Sequence, residues 1–315
     1  MSLSSFLKLV ELPTKVASVF PFLVGTTYAL YRYDQFDLVN FLIMLVAMLC
    51  LDMATTALNN YMDYKKAVRT HGFNYEEHNA IVRYGLSEKT VKATIGFLVT
   101  VAIALGLVLF TRTDWVVLLA GMVCFFFAMI YTWGPFPISR TPLGEMVSGV
   151  IMGGFITFIS LYIHIVDLGL IGLSYGENIL QVQVNLMEFI GIALLATPLV
   201  MGIANIMLAN NTSDMEDDYE NQRYTLPLVI GKDRALKLFA GLYMVGYVAV
   251  VVGVVGGWLP WASLLLLGTL IPVRKNLKLF FAKQTKAETF ITSVQNFVLI
   301  SGVYVVTLVI GIFTQ

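Results

Sequence analysis

The sequence predicts an all-α, polytopic membrane protein with nine transmembrane helices, its N-terminus cytoplasmic and its C-terminus outside. Three observations predict it. Of 315 residues, 58% are hydrophobic and only 13% are charged, about half the charged share of a soluble domain. The apolar residues gather in runs close to the ~20 residues that cross a bilayer. Finally, 18 of the 20 Lys and Arg residues fall on one side of the implied topology, as cytoplasmic loops require.

The runs are 16–32, 39–60, 93–111, 115–133, 143–166, 187–210, 235–256, 258–273 and 292–313. The first follows Lys8, Glu11 and Pro13, so residues 1–14 do not read as a cleavable leader and the first run stays as an anchor. The second contains Asp52 and ends in a polar segment. Glu145 opens the fifth, where a carboxylate gains from the helix dipole. The sixth runs into a second polar segment. The eighth is short and bracketed by Pro260 and Pro272. Loop 61–92 holds Lys65, Lys66, Arg69, Arg83, Lys89 and Lys92; loop 211–237 holds Arg223, Lys232, Arg234 and Lys237; loop 274–291 holds Arg274, Lys275, Lys278, Lys283 and Lys286. With Lys8, Lys15 and Arg140 these make the cytoplasmic set, leaving only Arg32 and Arg112 outside. An odd number of crossings places the termini on opposite sides, in agreement with the charges.

A formal net charge of zero gives no general attraction to nucleic acid. Cys50 and Cys124 lie in apolar runs, as packing residues do. His71, His78 and His164 match no zinc-ligand spacing.

Two polar segments carry candidate chemistry. In Asn210-Asn211-Thr212-Ser213-Asp214-Met215-Glu216-Asp217-Asp218, Asn210, Asp214 and Asp218 are spaced by four and share a helix face. Like charges at that spacing repel, so a cation must offset them. Hard divalent ions take carboxylate and amide oxygens, and Mg²⁺ commonly joins one or two carboxylates to substrate phosphates. The alternative is a solvated acidic loop that ends a helix. In Asn59-Asn60-Tyr61-Met62-Asp63, Asn59 and Asp63 repeat the spacing; the alternative there is a helix-end cap. Two such elements, each at the cytoplasmic end of a span, would hold a metal–diphosphate between two helices.

These paired elements resemble the two aspartate-rich motifs of the UbiA superfamily of intramembrane prenyltransferases. The likeness extends to Leu12-Pro13-Thr14-Lys15, Pro21-Phe22-Leu23-Val24-Gly25, Gly85-Leu86-Ser87 and Arg223-Tyr224-Thr225-Leu226-Pro227. Tyr131-Thr132-Trp133-Gly134-Pro135-Phe136-Pro137 and Leu143-Gly144-Glu145 resemble the branch that prenylates 1,4-dihydroxy-2-naphthoate. The resemblance covers most of the chain to about residue 235 and implies one prenyltransferase domain over 1–315. It departs in the first motif: Asn60 stands where an acid usually follows the first Asn, and Ala67 and Arg69 occupy the positions of a further acid. Glu76 and Glu77 are candidates to restore that charge, and Arg83 stands nearest to a displaced Arg.

The resemblance implies a multi-pass cell-membrane enzyme, its active site facing the cytoplasm. It implies Mg²⁺, a polyprenyl diphosphate and an aromatic acid as partners within membrane lipid. Asp63, Asp214 and Asp218 would be catalytic and hold Mg²⁺ with Asn59 and Asn210. Lys15, Lys66, Arg83, Arg223, Asn60 and Asn211 would contact diphosphate. Tyr61 and Tyr131 would stabilise an allylic cation, each worth roughly 0.5–2 kcal/mol. Glu145 would stand near the acceptor. For each cation the alternative is a topology signal, and for each Tyr an interfacial anchor.

Asp52 is a separate inference from spacing. It precedes Asp63 by eleven residues, on the same helix face and ~16 Å away, too far to share a metal. An intramembrane acid is a candidate functional group, here beside the acceptor or a proton path. The alternative is a protonated Asp bonded to Thr55, Thr56 or another helix. Outside the naphthoate expectation stand other acceptors (4-hydroxybenzoate, homogentisate, haem), a reduced paralogue, and a transporter or lipid flippase. A transporter would carry polar groups near the midplane, whereas here acids cluster at one face.

Overall fold

A computed structural model describes residues 1–67, 76, 79–176 and 179–314. Arg69, His71, Glu77 and His78 lie outside the described residues. The chain is built of helices α1 (Leu3–Leu9), α2 (Val16–Tyr33), α3 (Leu38–Lys66), α4 (Ala80–Tyr84), α5 (Glu88–Arg112), α6 (Trp115–Thr132), α7 (Gly144–Ser148) and α8 (Ile156–Ile165). After strands β1 (Ile171–Gly176) and β2 (Ile179–Val184) come α9 (Leu186–Ser213), α10 (Met215–Glu220), α11 (Leu226–Ile230), α12 (Lys232–Val255), α13 (Leu270–Ala282) and α14 (Ile291–Phe313).

Seven helical stretches among the described residues are long and apolar enough to cross a membrane: α3, α5, α6, Gly144–Leu168, α9, α12 and α14. The two other expected spans are helical but different in kind. α2 carries Pro21 and has Arg32 in its last turn. The region after Pro260 is a 3₁₀ helix, Trp261–Thr269, that passes into the basic α13. The all-α expectation is corrected at one place. β1 and β2 form an antiparallel hairpin, Ile171 opposite Val184, between α8 and α9. Gln181-Val182-Gln183-Val184 alternates with the two-residue period of a strand.

Local chemistry sets the ends. Asp37 caps α3, accepting from the Asn40 amide at 2.7 Å, and Asp114 caps α6, accepting from the Val116 amide at 2.9 Å. Gly85-Leu86-Ser87 is a helix stop followed by a start. Gly85 takes the left-handed conformation (φ 57°), the Leu86 amide donates back to the Ile81 carbonyl, and Ser87 caps α5.

The bundle has an early group (α3, α5, α6) and a late group (α9, α12, α13, α14), joined through α2 and α8. α2 packs on α8 so closely that a methyl on Gly25 would collide with Ser160 Oγ and the Thr157 carbonyl. Small residues permit this approach where lipid supplies no hydrophobic drive between helices. Between Ser148 and Ile156 the helix widens into a π segment, Gly149–Phe155, an irregularity often found beside functional sites. The two exceptional arginines are neutralised at the face opposite the polar loops. Arg32 Nη2 pairs with Glu188 at 2.8 Å, and Arg112 contacts Asp37 at 3.4 Å and the Asn40 side-chain oxygen at 2.7 Å.

Candidate active site

α3 and α9 bring their polar ends to the same face of the bundle. Asn59 Nδ2 donates to Asp63 Oδ2 at 3.3 Å, and Asn59 Oδ1 accepts from Thr132 at the end of α6, also at 3.3 Å. The chain kinks at Asp214, yet the helical ladder continues through it. Asp214 N donates to the Asn210 carbonyl (3.1 Å) and Asp218 N to the Asp214 carbonyl (2.7 Å). The stripe Asn210–Asp214–Asp218 therefore survives the break between α9 and α10.

Three cations stand among these acids. Lys286, from the segment between α13 and α14, pairs with Asp214 Oδ2 at 2.6 Å. Arg223 Nε lies 3.3 Å from Asp218 Oδ1 without hydrogen-bond alignment, and its Nη2 donates to the Ser139 carbonyl at 3.4 Å. Arg140 acts electrostatically on both Asp63 and Asp218, Lys286 on the same two, and Arg223 on all three aspartates. Asp63 thus shares its counter-charges with Asp214 and Asp218 across a cleft. Protein surrounds it on most sides while its side chain stays exposed. Burial pushes the Asp218 carboxyl up to about 6, against the opposing pull of Arg223. Thr225 donates to its Oδ2 at 3.1 Å. Burial lowers Arg140 from the usual guanidinium range, and neighbouring Arg223 adds to it.

Among the described residues no three acidic, His or Cys side chains come close enough to cage a metal unaided. The donor set, carboxylates with the Asn59 and Asn210 amides, suits a hard ion. Three cations opposite three aspartates leave little excess negative charge, although Glu11 also acts on Asp63. The arrangement fits a divalent ion that arrives with phosphate oxygens of its own.

Several predicted contacts fall elsewhere. Lys15 does not reach this cleft. Its Nζ pairs with Asp52 Oδ1 (2.6 Å) and donates to Thr56 Oγ1 (2.7 Å), while Ser18 donates to Asp52 Oδ2 (2.6 Å). Asp52, alone in its span by sequence, is half of a buried ion pair. Asn60 is buried and turned toward the N-terminal segment, donating to Glu11 Oε1 at 3.1 Å, with its carbonyl accepting from Asn79 at 2.9 Å. Tyr61 faces α5, where its hydroxyl donates to Glu88 at 3.0 Å and Lys92 lies over its ring. Lys66 is exposed at the end of α3, and Arg83 is exposed on α4 beside Tyr84. Asn211 is buried and donates to Glu145 Oε1 at 2.8 Å. Glu76 is exposed.

A cavity of about 810 Å³ lies among α3, α5, α6, the π segment and α8. Its walls are almost wholly apolar, including Met48, Leu109, Phe125 and Met152. Asp52, Thr55, Tyr131 and Ser148 supply its polar groups. Sequence reasoning missed Lys286, Arg140 and Thr132. Each is distant in sequence from both motifs; Arg140 and Lys286 carried only a topology signal, and Thr132 lay unassigned in the Tyr131–Pro137 segment.

Residues 18–308 match the UbiA prenyltransferase family. This chain belongs to that family. It is therefore a prenyltransferase. The UbiA chain is 31% identical over 262 residues to the 1,4-dihydroxy-2-naphthoate octaprenyltransferase of Bacillus subtilis (strain 168), covering 83% of this chain and 77% of that one. It is 27% identical to the UbiA prenyltransferase domain-containing protein 1 of Dictyostelium discoideum, over 73% of this chain and 65% of the relative. In fold it matches the apo UbiA homologue of Aeropyrum pernix K1 (TM-score 0.69, 18% identity, 92% and 97% of the two chains). It likewise matches an Archaeoglobus fulgidus UbiA homologue solved with GPP and Mg²⁺ (TM-score 0.67, 13% identity, 98% and 99% coverage).

Proposed function

We propose that this UbiA enzyme transfers a polyprenyl group from an isoprenoid diphosphate to 1,4-dihydroxy-2-naphthoate, with Mg²⁺, giving demethylmenaquinone in its hydroquinone form for menaquinone biosynthesis. We further place it in the cell membrane with nine crossings, its N-terminus and active site on the cytoplasmic side. One observation carries the proposal. Two Asn/Asp elements and three cations meet at the same face of the bundle as the polar end of an apolar chamber. The identity to the Bacillus naphthoate enzyme supports the choice of acceptor.

Asp63, Asp214 and Asp218 would hold Mg²⁺ with Asn59 and Asn210. Bound there with the diphosphate, the ion supplies Lewis-acid neutralisation of the leaving group. Arg223 keeps its expected diphosphate contact, and Arg140 and Lys286 would stand in for those expected of Lys15, Lys66, Arg83, Asn60 and Asn211. Arg223 presents a planar fork to phosphate oxygens, the geometry that favours Arg for this task. The chamber takes the polyprenyl tail and keeps water from the allylic cation. Tyr131 lines that chamber and offers its ring to the cation. The C1–oxygen bond to diphosphate breaks, the ring carbon that bears the carboxylate bonds to C1, and CO₂ leaves with its bonding pair returned to the ring, so both ring hydroxyls are kept.

The test supplies purified protein with a polyprenyl diphosphate, Mg²⁺ and a panel of aromatic acids. Prenylated naphthoate that disappears with EDTA is the expected outcome. Prenylation of 4-hydroxybenzoate alone would replace the acceptor, and absence of product with every acceptor, in folded protein, would overturn the proposal.

A further inference from the structure

Two polar atoms are left without a well-formed hydrogen bond where the charged cleft meets the chamber. Glu145 is 4% exposed. Its Oε1 accepts from Asn211, but its Oε2 is buried with no hydrogen-bond partner. The Tyr131 hydroxyl is likewise buried and makes no well-formed hydrogen bond, with only the Ser148 side chain within weak reach of it. They belong to one locality: a Cβ on Gly144, the residue before Glu145, would lie 3.6 Å from the Tyr131 hydroxyl. Tyr131 and Ser148 form part of the chamber wall, and the Ser148 hydroxyl donates to the Glu145 carbonyl at 3.3 Å.

Buried carboxylate oxygens without donors are costly, and a native structure leaves them so where something else supplies the donor. The helix dipole accounts for an acid at the start of a helix but not for an oxygen withdrawn from both water and protein. Asn211 orients the carboxylate by its other oxygen, so Oε2 is fixed in place. A carboxylate oxygen only accepts, whereas a tyrosine hydroxyl donates or accepts. The matching ligand group is a hydroxyl on an apolar ring, which the chamber wall would otherwise take by packing.

We propose that Glu145 Oε2 and the Tyr131 hydroxyl form the subsite that recognises a ring hydroxyl of the aromatic acceptor. Asn211 acts as a positioning residue that holds Glu145 for this contact. The subsite rests on the prenyl-transfer function above but is not tied to the naphthoate. Any hydroxyarene that this enzyme alkylates would use it. The contact is recognition through hydrogen bonds, with the hydroxyl proton retained between ring and carboxylate.

The experiment uses full-length protein in lipid nanodiscs. The wild-type acceptor panel first decides whether the naphthoate or another hydroxyarene is used. KM for that acceptor and for the prenyl diphosphate are then measured in Glu145→Gln and Tyr131→Phe. Glu145→Gln keeps an oxygen for Asn211 but turns the free position into a donor. Its expected effect is a rise in acceptor KM of about 10- to 100-fold, the worth of a hydrogen bond to a charged group. Diphosphate KM and melting temperature should stay near wild type. Wild type should also prefer the hydroxylated acceptor over its O-methyl ether by about tenfold or more, a preference that Glu145→Gln abolishes. Should Glu145→Gln fail to fold, Tyr131→Phe carries the same comparison, its loss of ether discrimination supporting the subsite and its retention overturning it. An unchanged acceptor KM, or an equal rise in both KM values, would show Glu145 to be a packing residue. A wild type that uses no hydroxylated acceptor would also overturn the subsite, whereas one that merely uses a different hydroxyarene overturns only the naphthoate assignment.

Discussion

Lys286 holds Asp214 at 2.6 Å, at a position where a divalent ion would compete for the carboxylate and a phosphate for the ammonium. A compact ammonium on a flexible stem can move from one anion to another as they enter. Lys286→Ala is therefore expected to raise prenyl diphosphate KM by about tenfold while leaving acceptor KM near wild type. Steady-state kinetics with each substrate varied in turn checks this. The Lys15–Asp52 pair makes a different case. Both side chains are nearly sealed, at 5% and 12% exposure. Removing one partner of such a pair strands the other charge, at a cost of about 3–5 kcal/mol. Asp52→Ala should lower the melting temperature sharply, and the double variant Lys15→Met/Asp52→Leu should recover most of the loss. Equal stability of Asp52→Ala and wild type would show that the pair contributes nothing. Asp52 was legible in the sequence as an unusual intramembrane acid. Its partner was not, because Lys15 read equally well as a loop cation, and only the packing of the segment before α2 against α3 brings them together.

At the scale of elements, the apolar body of each span was more legible than its ends. α6 runs Trp115–Thr132 against an expected 115–133, but α3 continues to Lys66 against an expected 60 and α5 starts at Glu88 against 93, because polar turns capped by residues such as Ser87 extend the helices beyond the apolar runs. The strand pair 171–176 and 179–184 was passed over because its alternating stretch is short and lies between long apolar runs. The site's cations were harder still: a positive-inside loop and a phosphate ligand have the same composition, and contact between distant loops separates them. The α2–α8 contact tolerates no side chain at position 25. Gly25→Val is expected to destabilise the protein by at least about 1–3 kcal/mol, as overpacking does, read as lower thermal stability in detergent. The chamber offers the opposite situation. Gly106 and Gly121 line it and have open space where a Cβ would go. Gly121→Phe should fill part of the tail's volume, shifting product toward shorter prenyl chains while a minimal prenyl donor reacts at near wild-type rate. Product chain lengths by mass spectrometry decide this; an unchanged distribution would place the tail elsewhere.

For the whole molecule, charge and geometry describe the same polarity. Asp63, Asp214, Asp218 and their cations lie at the face where most Lys and Arg residues lie. Arg32 and Arg112 at the other face are held by Glu188, Asp37 and Asn40. A transporter would place its acids free near the midplane, but Asp52 there is bound to Lys15. The central claim is that the two Asn/Asp elements act together on a metal–diphosphate. Its most direct test is prenyl transfer and Mg²⁺-dependent binding of a non-hydrolysable prenyl diphosphate analogue by wild type, Asp63→Asn and Asp214→Asn in lipid nanodiscs. Each single variant is expected to lose turnover by about 10²-fold or more and to lose the Mg²⁺-dependent part of analogue binding, with melting temperature retained. Full Mg²⁺-dependent binding and turnover in either variant would contradict it.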